Sequence, residues 1–390
     1  VKLLDEIADV GRDARRGGWS RHLGDDAETE LREWFTEAAA RRGLDVETDG
    51  NLNVWAWWGE PGPDAVVTGS HLDSVPGGGA YDGPLGVVSA LAALDALSAR
   101  GVVPTRPVAV VVFAEEEGGR FGVPCLGARL LTGSLDPDRA RGLRDPDGVT
   151  LAEALGHRAA GLGSDPERLA RVGCFVELHV EQGRALAPRG DALAVGSTIV
   201  AHGRWRLSFT GRADHAGTTR LADRRDPMVP AAATVLAARA AMARHGDEAR
   251  ATVGRLHATP GGTNVVPSRV DLWLDARGPL PQALLDDVAA AAHAAAADEG
   301  CMVEVRAESV SGAVTLDPGL ADTLATITGA GRLPTAAGHD AGVLAAHVPT
   351  GMLHVRNPTG VSHAPDEHAE DADAEAGVRA LADVLEELCR

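Results

Sequence analysis

The chain has 390 residues, 44% apolar and 24% charged, an ordinary globular composition that excludes a disordered or fibrous protein. Its 37 basic and 56 acidic residues leave a formal net charge of −19, which argues against binding a nucleic-acid backbone or an anionic membrane surface. At roughly 100–200 residues per domain, the length suggests two or three domains.

Apolar residues at helical spacing (Leu31, Trp34, Phe35, Ala38) predict a helix over about 25–42, stopped by Gly43. Residues 44–58 read as two short strands broken at Asp49-Gly50. Residues 65–69 read as a buried strand, 86–99 as an Ala/Leu-rich helix, and 108–113 and 175–179 as strands covered on both faces. Strands alternating with helices predict an α/β layer. The pattern changes near Ser197. A strand at 204–210, a helix at 231–244, strands at 251–257 and 270–277, a helix at 284–299 and a strand at 302–310 follow in the β-α-β-β-α-β order of a ferredoxin-like module. Helix, strand and helix then resume at 317–329, 351–356 and 373–388. The predicted architecture is a discontinuous α/β domain, residues 1–198 and 313–390, with a smaller α+β domain inserted at 199–312.

The four cysteines, Cys125, Cys174, Cys301 and Cys389, are scattered, with no C-x-x-C pair. They read as free thiols of a reducing compartment. Residues 1–17 lack the apolar stretch of a secretion signal, and no run approaches the roughly 20 apolar residues of a membrane span. A soluble, cytoplasmic protein is expected, with a start at Val1 that suggests trimming.

Polar residues gather where the predicted strands end, which is where open α/β sheets bind ligands. Residues 69–75 read GSHLDSV and residues 77–86 read GGGAYDGPLG. AEEEGGRF occupies 114–121, ELHVEQG occupies 177–183 and GVSHAPDE occupies 360–367. One histidine at a strand end is ordinary in a chain that has 14. Five such fragments in the same context are not. Imidazole and carboxylate without thiolate suit Zn, Mn, Co or Ni, and point to a hydrolytic metal site. Asp82, in a glycine-flanked turn, is the candidate for a shared ligand.

These fragments resemble the M20 metallopeptidase superfamily over nearly the whole chain. Within it they resemble the amidase, hydantoinase and carbamoylase branch, which includes allantoate amidohydrolase, N-carbamoyl-L-amino acid hydrolase and β-ureidopropionase. Asp82-Gly83-Pro84-Leu85-Gly86 stands where peptidase members carry Asp-x-Lys-Gly, and His179 stands where many have Asp or Glu. The resemblance implies two divalent metal ions per subunit (Mn, Zn, Co or Ni). His71, Asp82 and His179 would hold one, and Glu117 and His363 the second, with Asp82 bridging. Glu116 would be the general base, and Asp73 would accept the second ring N–H of His71. In the inserted lid and dimerisation domain, His215 would reach the partner subunit's active site. Asn264 and Arg277 would bind substrate, Arg277 gripping its carboxylate as a planar fork. Gln182 and His339 would complete the pocket.

The implied activity is hydrolysis of a C–N bond in allantoate or an N-carbamoyl-L-amino acid, releasing CO2 and ammonia, by a homodimer with no nucleic-acid or membrane partner. The alternatives are an N-acyl or N-formyl amino acid hydrolase, a small dipeptidase, or a catalytically dead binding relative. Two departures from the family pattern bear on the substrate. Arg220-Leu221 replaces Pro-Met after the lid motif, and Thr335-Ala336-Ala337-Gly338 precedes His339.

Overall fold

The computed structural model describes residues 2–390. The chain divides into two compact units, one running to Ile199 and resuming at Thr315, the other Val200–Val314.

The first unit is built on one mixed sheet. Its strands lie in the order Asp45–Thr48, Val54–Trp58, Val108–Phe113, Ala65–His71, Val172–Val180, Thr350–Val355 and Leu193–Ile199. The four from Val108–Phe113 to Thr350–Val355 run parallel. Arg332–Thr335 adds a parallel neighbour to Leu193–Ile199. All six residues of Val108–Phe113 are buried, as expected of a strand covered on both faces. Alternate residues serve opposite layers. Val66, Val110 and Val112 face a core completed by helices Asp26–Ala40, Pro84–Ala99, Pro318–Thr328 and Asp371–Leu388. Val67, Ala109, Val111 and Phe175 face the other, beneath Leu126–Leu131 and Asp340–Leu344.

The local chemistry of the sequence accounts for several element ends. Asp25 caps the helix Asp26–Ala40 by accepting the Glu28 N–H at 2.7 Å. Asp49 accepts the backbone N–H of Asn51 and Asn53, the Asn53 amide and the Trp55 indole, which closes the turn between the first two strands. Gly69, at φ 150°, lets the adjoining strand approach, since a Cβ there would lie 2.8 Å from the Val111 carbonyl carbon. Gly69→Ala is therefore expected to destabilise the protein by about 3 kcal/mol or more. Thermal unfolding monitored by circular dichroism checks this, and an unchanged midpoint would contradict it.

In the second unit the strands lie in the order Met302–Ser311, His202–Thr210, Arg269–Arg277 and Arg250–Thr259, antiparallel throughout. Helices Met228–His245 and Pro281–Asp298 cover one face over Leu207, Phe209, Val270, Leu272 and Leu274. The chain order of these elements is the ferredoxin-like one. Periodicity alone did not reveal the strands Leu193–Ile199 and Arg332–Thr335, which flank the parallel core. Each is short and mixes glycine, proline or charge with its apolar residues.

Candidate metal centre

The parallel strands deliver their side chains at the carboxyl end of the sheet. His71 is the last residue of its strand and pairs in register with Phe113, after which Glu115–Glu117 follow. His179 lies one residue from the end of the neighbouring strand. Asp82 precedes Gly83, whose φ of 84° turns the chain into helix Pro84–Ala99. A Cβ at Gly83 would strike the His71 ring, 2.6 Å from its Nε2, so only glycine lets this turn lie against the histidine.

Both histidines are oriented by backbone carbonyls. His71 Nδ1 donates to the Asp73 carbonyl oxygen at 3.0 Å, and His179 Nδ1 to that of Val180 at 2.9 Å. Each Nε2 then points at Asp82 Oδ1, at 3.7 Å from His71 and 3.2 Å from His179. Both Nε2 atoms are buried without a hydrogen-bond partner. The other oxygen, Asp82 Oδ2, receives Gln182 Nε2 at 2.8 Å and Ser362 Oγ at 3.2 Å, with His363 Nε2 at 3.4 Å. His363 Nε2 is also 3.3 Å from Glu117 Oε2. Asp82 thus offers one oxygen to His71 and His179 and the other to Glu117 and His363.

Among the described residues, three donor groups are close enough to hold a metal ion: His71–Asp82–His179, Asp82–Glu117–His363 and Glu177–His179–His339. The donor set fits a divalent cation. Two imidazole nitrogens and a carboxylate oxygen converge with no other partner, and a buried polar atom left unsatisfied is costly. The carboxyl groups of Glu116 and Glu117 are buried close to those of Asp73 and Asp82. Glu117 is driven well above the usual carboxylate range, first by burial and then by Asp82 and Glu116. Burial, then the charges of Asp73, Glu177 and Asp82, push Glu116 up to about 7 against the opposing pull of His71. Burial opposes charge on His179, but Asp82 outweighs it and takes the ring up to about 9. A site that so favours positive charge suits a cation.

Asp73 meets the His71 ring through its backbone rather than its side chain. Its carbonyl, not its carboxylate, takes the His71 N–H, with Oδ1 at 3.6 Å from that nitrogen. The carboxylate instead accepts the Glu116 N–H at 3.1 Å and the Glu117 N–H at 3.0 Å. The backbone oxygen, two residues on, already meets the ring, which frees the side chain to anchor the glutamate turn. Glu116 Oε2 lies 3.7 Å from His71 Nε2, and Oε1 accepts a hydrogen bond from the Cys125 thiol at 3.3 Å. Gln182 lies directly on the shared aspartate. His339 is buried with its ring 4.5 Å from that of His179 and its Nε2 unpartnered. Burial, then the neighbouring His179, hold His339 well below the usual imidazole range.

The remaining sequence-predicted residues belong to the second unit. His215 is exposed, and Asp214–His215 forms a two-residue ladder with Val265–Val266. The Asn264 carbonyl accepts the Ala216 N–H at 3.0 Å, which brings His215 and Asn264 together. Arg277 spends part of its fork on Asp275, through Nε at 2.8 Å and Nη2 at 3.3 Å.

Glu177 and Glu367 were missed from sequence. Glu177 accepts Ser70 Oγ and the Ala341 N–H, and lies on the same strand face as His179. Its two-residue offset from that histidine was the available signal. Glu367 had no comparable signal.

Residues 67–387 match the model of peptidase family M20/M25/M40. The chain is similar to the N-carbamoyl-L-amino acid amidohydrolase of Geobacillus stearothermophilus, at 35% identity over 97% of this chain and 95% of that protein. It is similar to the allantoate amidohydrolase of Bacillus subtilis, at 33% identity over 89% of this chain and 87% of that one. Among solved structures it resembles a hydantoinase/carbamoylase-family amidase from Burkholderia vietnamiensis, with a TM-score of 0.88 and 28% identity over 100% of this chain and 96% of that one.

Proposed function

The chain belongs to peptidase family M20/M25/M40 and is an amidohydrolase, and we propose that it hydrolyses a small carboxylate-bearing ureido compound, allantoate or an N-carbamoyl-L-amino acid. The observation that carries this reading is Asp82, which presents one oxygen to His71 and His179 and the other to the Glu117–His363 pair, with Glu116 beside His71. In the proposal these residues hold two divalent ions, drawn from Mn, Zn, Co or Ni. Such ions lower the pKa of a water molecule and polarise a carbonyl.

The protein's own groups carry the remaining steps. Glu116 takes a proton as the water oxygen bonds to the ureido carbon, then delivers it to the nitrogen as the C–N bond breaks. The released carbamoyl group decomposes to CO2 and ammonia. His215 of the partner subunit stabilises the oxyanion, so the active species is a homodimer. Asn264, Arg277, Gln182 and His339 bind the substrate, Arg277 through its carboxylate. The four free cysteines agree with a reducing, cytoplasmic setting. Among the described residues, no helix is long and apolar enough to cross a membrane.

Lysine offers a point charge where arginine offers two parallel donors. Arg277→Lys is expected to raise KM by about 10–100-fold, the worth of a charge-assisted hydrogen bond, with a smaller change in kcat. Steady-state kinetics check the split, and an unchanged KM removes Arg277 from the binding role.

The proposal as a whole is tested by ammonia release from a panel of allantoate, N-carbamoyl-L-amino acids, 3-ureidopropionate, N-formyl-L-glutamate and N-acetyl amino acids. Ammonia from one of the first two classes supports it. Amine without ammonia, from an acyl or formyl compound, replaces it with an N-acyl amino acid hydrolase.

A further inference from the structure

Asp82 is held from behind by a residue with no part in the chemistry above. Glu367, four residues past His363, is buried at 4% exposure. Its Oε1 accepts the Asp82 N–H at 2.9 Å and the Tyr81 N–H at 3.1 Å, so one oxygen ties down two consecutive peptide groups at the root of the shared aspartate. The partners are 285 and 286 residues apart in sequence. Gly79 makes the seat possible. A Cβ there would collide with the Glu367 carboxyl group and lie 2.6 Å from the Glu367 Cβ. The same C-terminal segment sets Ser362 and His363 against Asp82 Oδ2. It therefore grips Asp82 at both ends, at the backbone through Glu367 and at the carboxylate through Ser362 and His363.

We propose that Glu367 is a positioning residue that fixes the shared carboxylate of Asp82, so that both metal positions form together when the C-terminal segment docks. Two hydrogen bonds to consecutive N–H groups fix the peptide plane from which the Asp82 side chain springs. Without them the turn from Gly79 to Asp82 loses its only side-chain acceptor among the described residues, and the buried Asp82 N–H and the half-buried Tyr81 N–H lose their partner. Because Asp82 serves both donor groups, a tilt of that plane weakens both. A carboxylate that served only local stability would leave metal affinity untouched, or would affect only the side nearer His363.

This inference rests on the reading of Asp82 as the bridge, and the test separates the two. Co2+ is titrated into the full chain after chelator treatment, with bound metal measured by equilibrium dialysis and by visible absorption. Circular dichroism confirms the fold of each variant. Glu367→Ala is expected to weaken both Co2+ equivalents together by about 10–100-fold, the usual effect of losing an outer partner of a ligand. Glu367→Gln, which keeps the accepting oxygen, is expected to restore both. Gly79→Ala, which pushes the carboxylate from its seat, is expected to reproduce the Glu367→Ala loss. The double variant Gly79→Ala/Glu367→Ala should be no worse than Glu367→Ala alone, since the two share one partner.

Wild-type affinity in Glu367→Ala would overturn the proposal. So would loss of a single equivalent, failure of Gln to rescue, or full additivity of the two alanine changes. Asp82→Asn is the control. If it binds both equivalents normally, the bridge reading itself fails. If it loses both while Glu367→Ala keeps them, only the role of Glu367 fails.

Discussion

Glu116→Gln is expected to lower kcat by about 10²–10⁴-fold while leaving metal content and KM close to those of the unaltered protein. The amide has the shape of the carboxylate and can still accept the Cys125 hydrogen bond at Oε1. It cannot take a proton. Glu116 is near the His71 nitrogen at 3.7 Å but falls in none of the three donor groups close enough to hold an ion. Its loss should therefore spare the metal. Ammonia release measured beside metal content decides the matter. A tenfold or smaller fall in kcat would take the base role from Glu116, and a lost metal equivalent would make it a ligand. An unaltered protein that binds substrate without turnover, and binds it equally well with Gln at this position, would be a catalytically dead relative.

Asp82→Ala should have the broadest effect of any single change. Removing a terminal ligand such as His363 leaves the other donor group intact. Removing Asp82 strips an oxygen from both, along with the acceptor for Gln182 and Ser362. Outer partners of a ligand typically cost about 10–100-fold in metal affinity, and a shared ligand should cost about 10³-fold or more at both positions, abolishing turnover. His363→Ala is the informative companion, since it should release one equivalent and keep the other. If Asp82→Ala and His363→Ala release the same single equivalent, the two donor groups are not joined through Asp82.

Much of the fold was legible because its signals are local. The continuous apolar run at 108–113 reports a strand buried on both faces. The period-two residues of Arg269–Arg277 report a sheet with one covered face. Element order then gave the α/β layer and the ferredoxin-like insertion, motifs at strand ends pointed to a metal site, and the family resemblance they carry implied His71, Asp82, Glu117, His179 and His363 as its ligands. What stayed hidden depends on which distant segments meet. That Glu367 reaches the Asp82 turn follows from the docking of the C-terminal segment, which no local periodicity encodes. Spacing put Asp73 beside the His71 ring without telling which of its two acceptors, carbonyl or carboxylate, takes the N–H. Sequence spacing is the same for both. The Arg277–Asp275 pair was within reach of the sequence, since residues two apart on a strand share a face.

One titration tests most directly the proposal that a two-metal centre hydrolyses a ureido group. Chelator-treated protein is reloaded stepwise with Mn2+ or Co2+ while ammonia release from allantoate or an N-carbamoyl-L-amino acid is followed against metal bound per chain. The prediction is no turnover without metal, activity rising to a plateau at two equivalents, and loss of both on renewed chelation. Turnover in the chelated protein, or a plateau at one equivalent with no second ion bound, would contradict it.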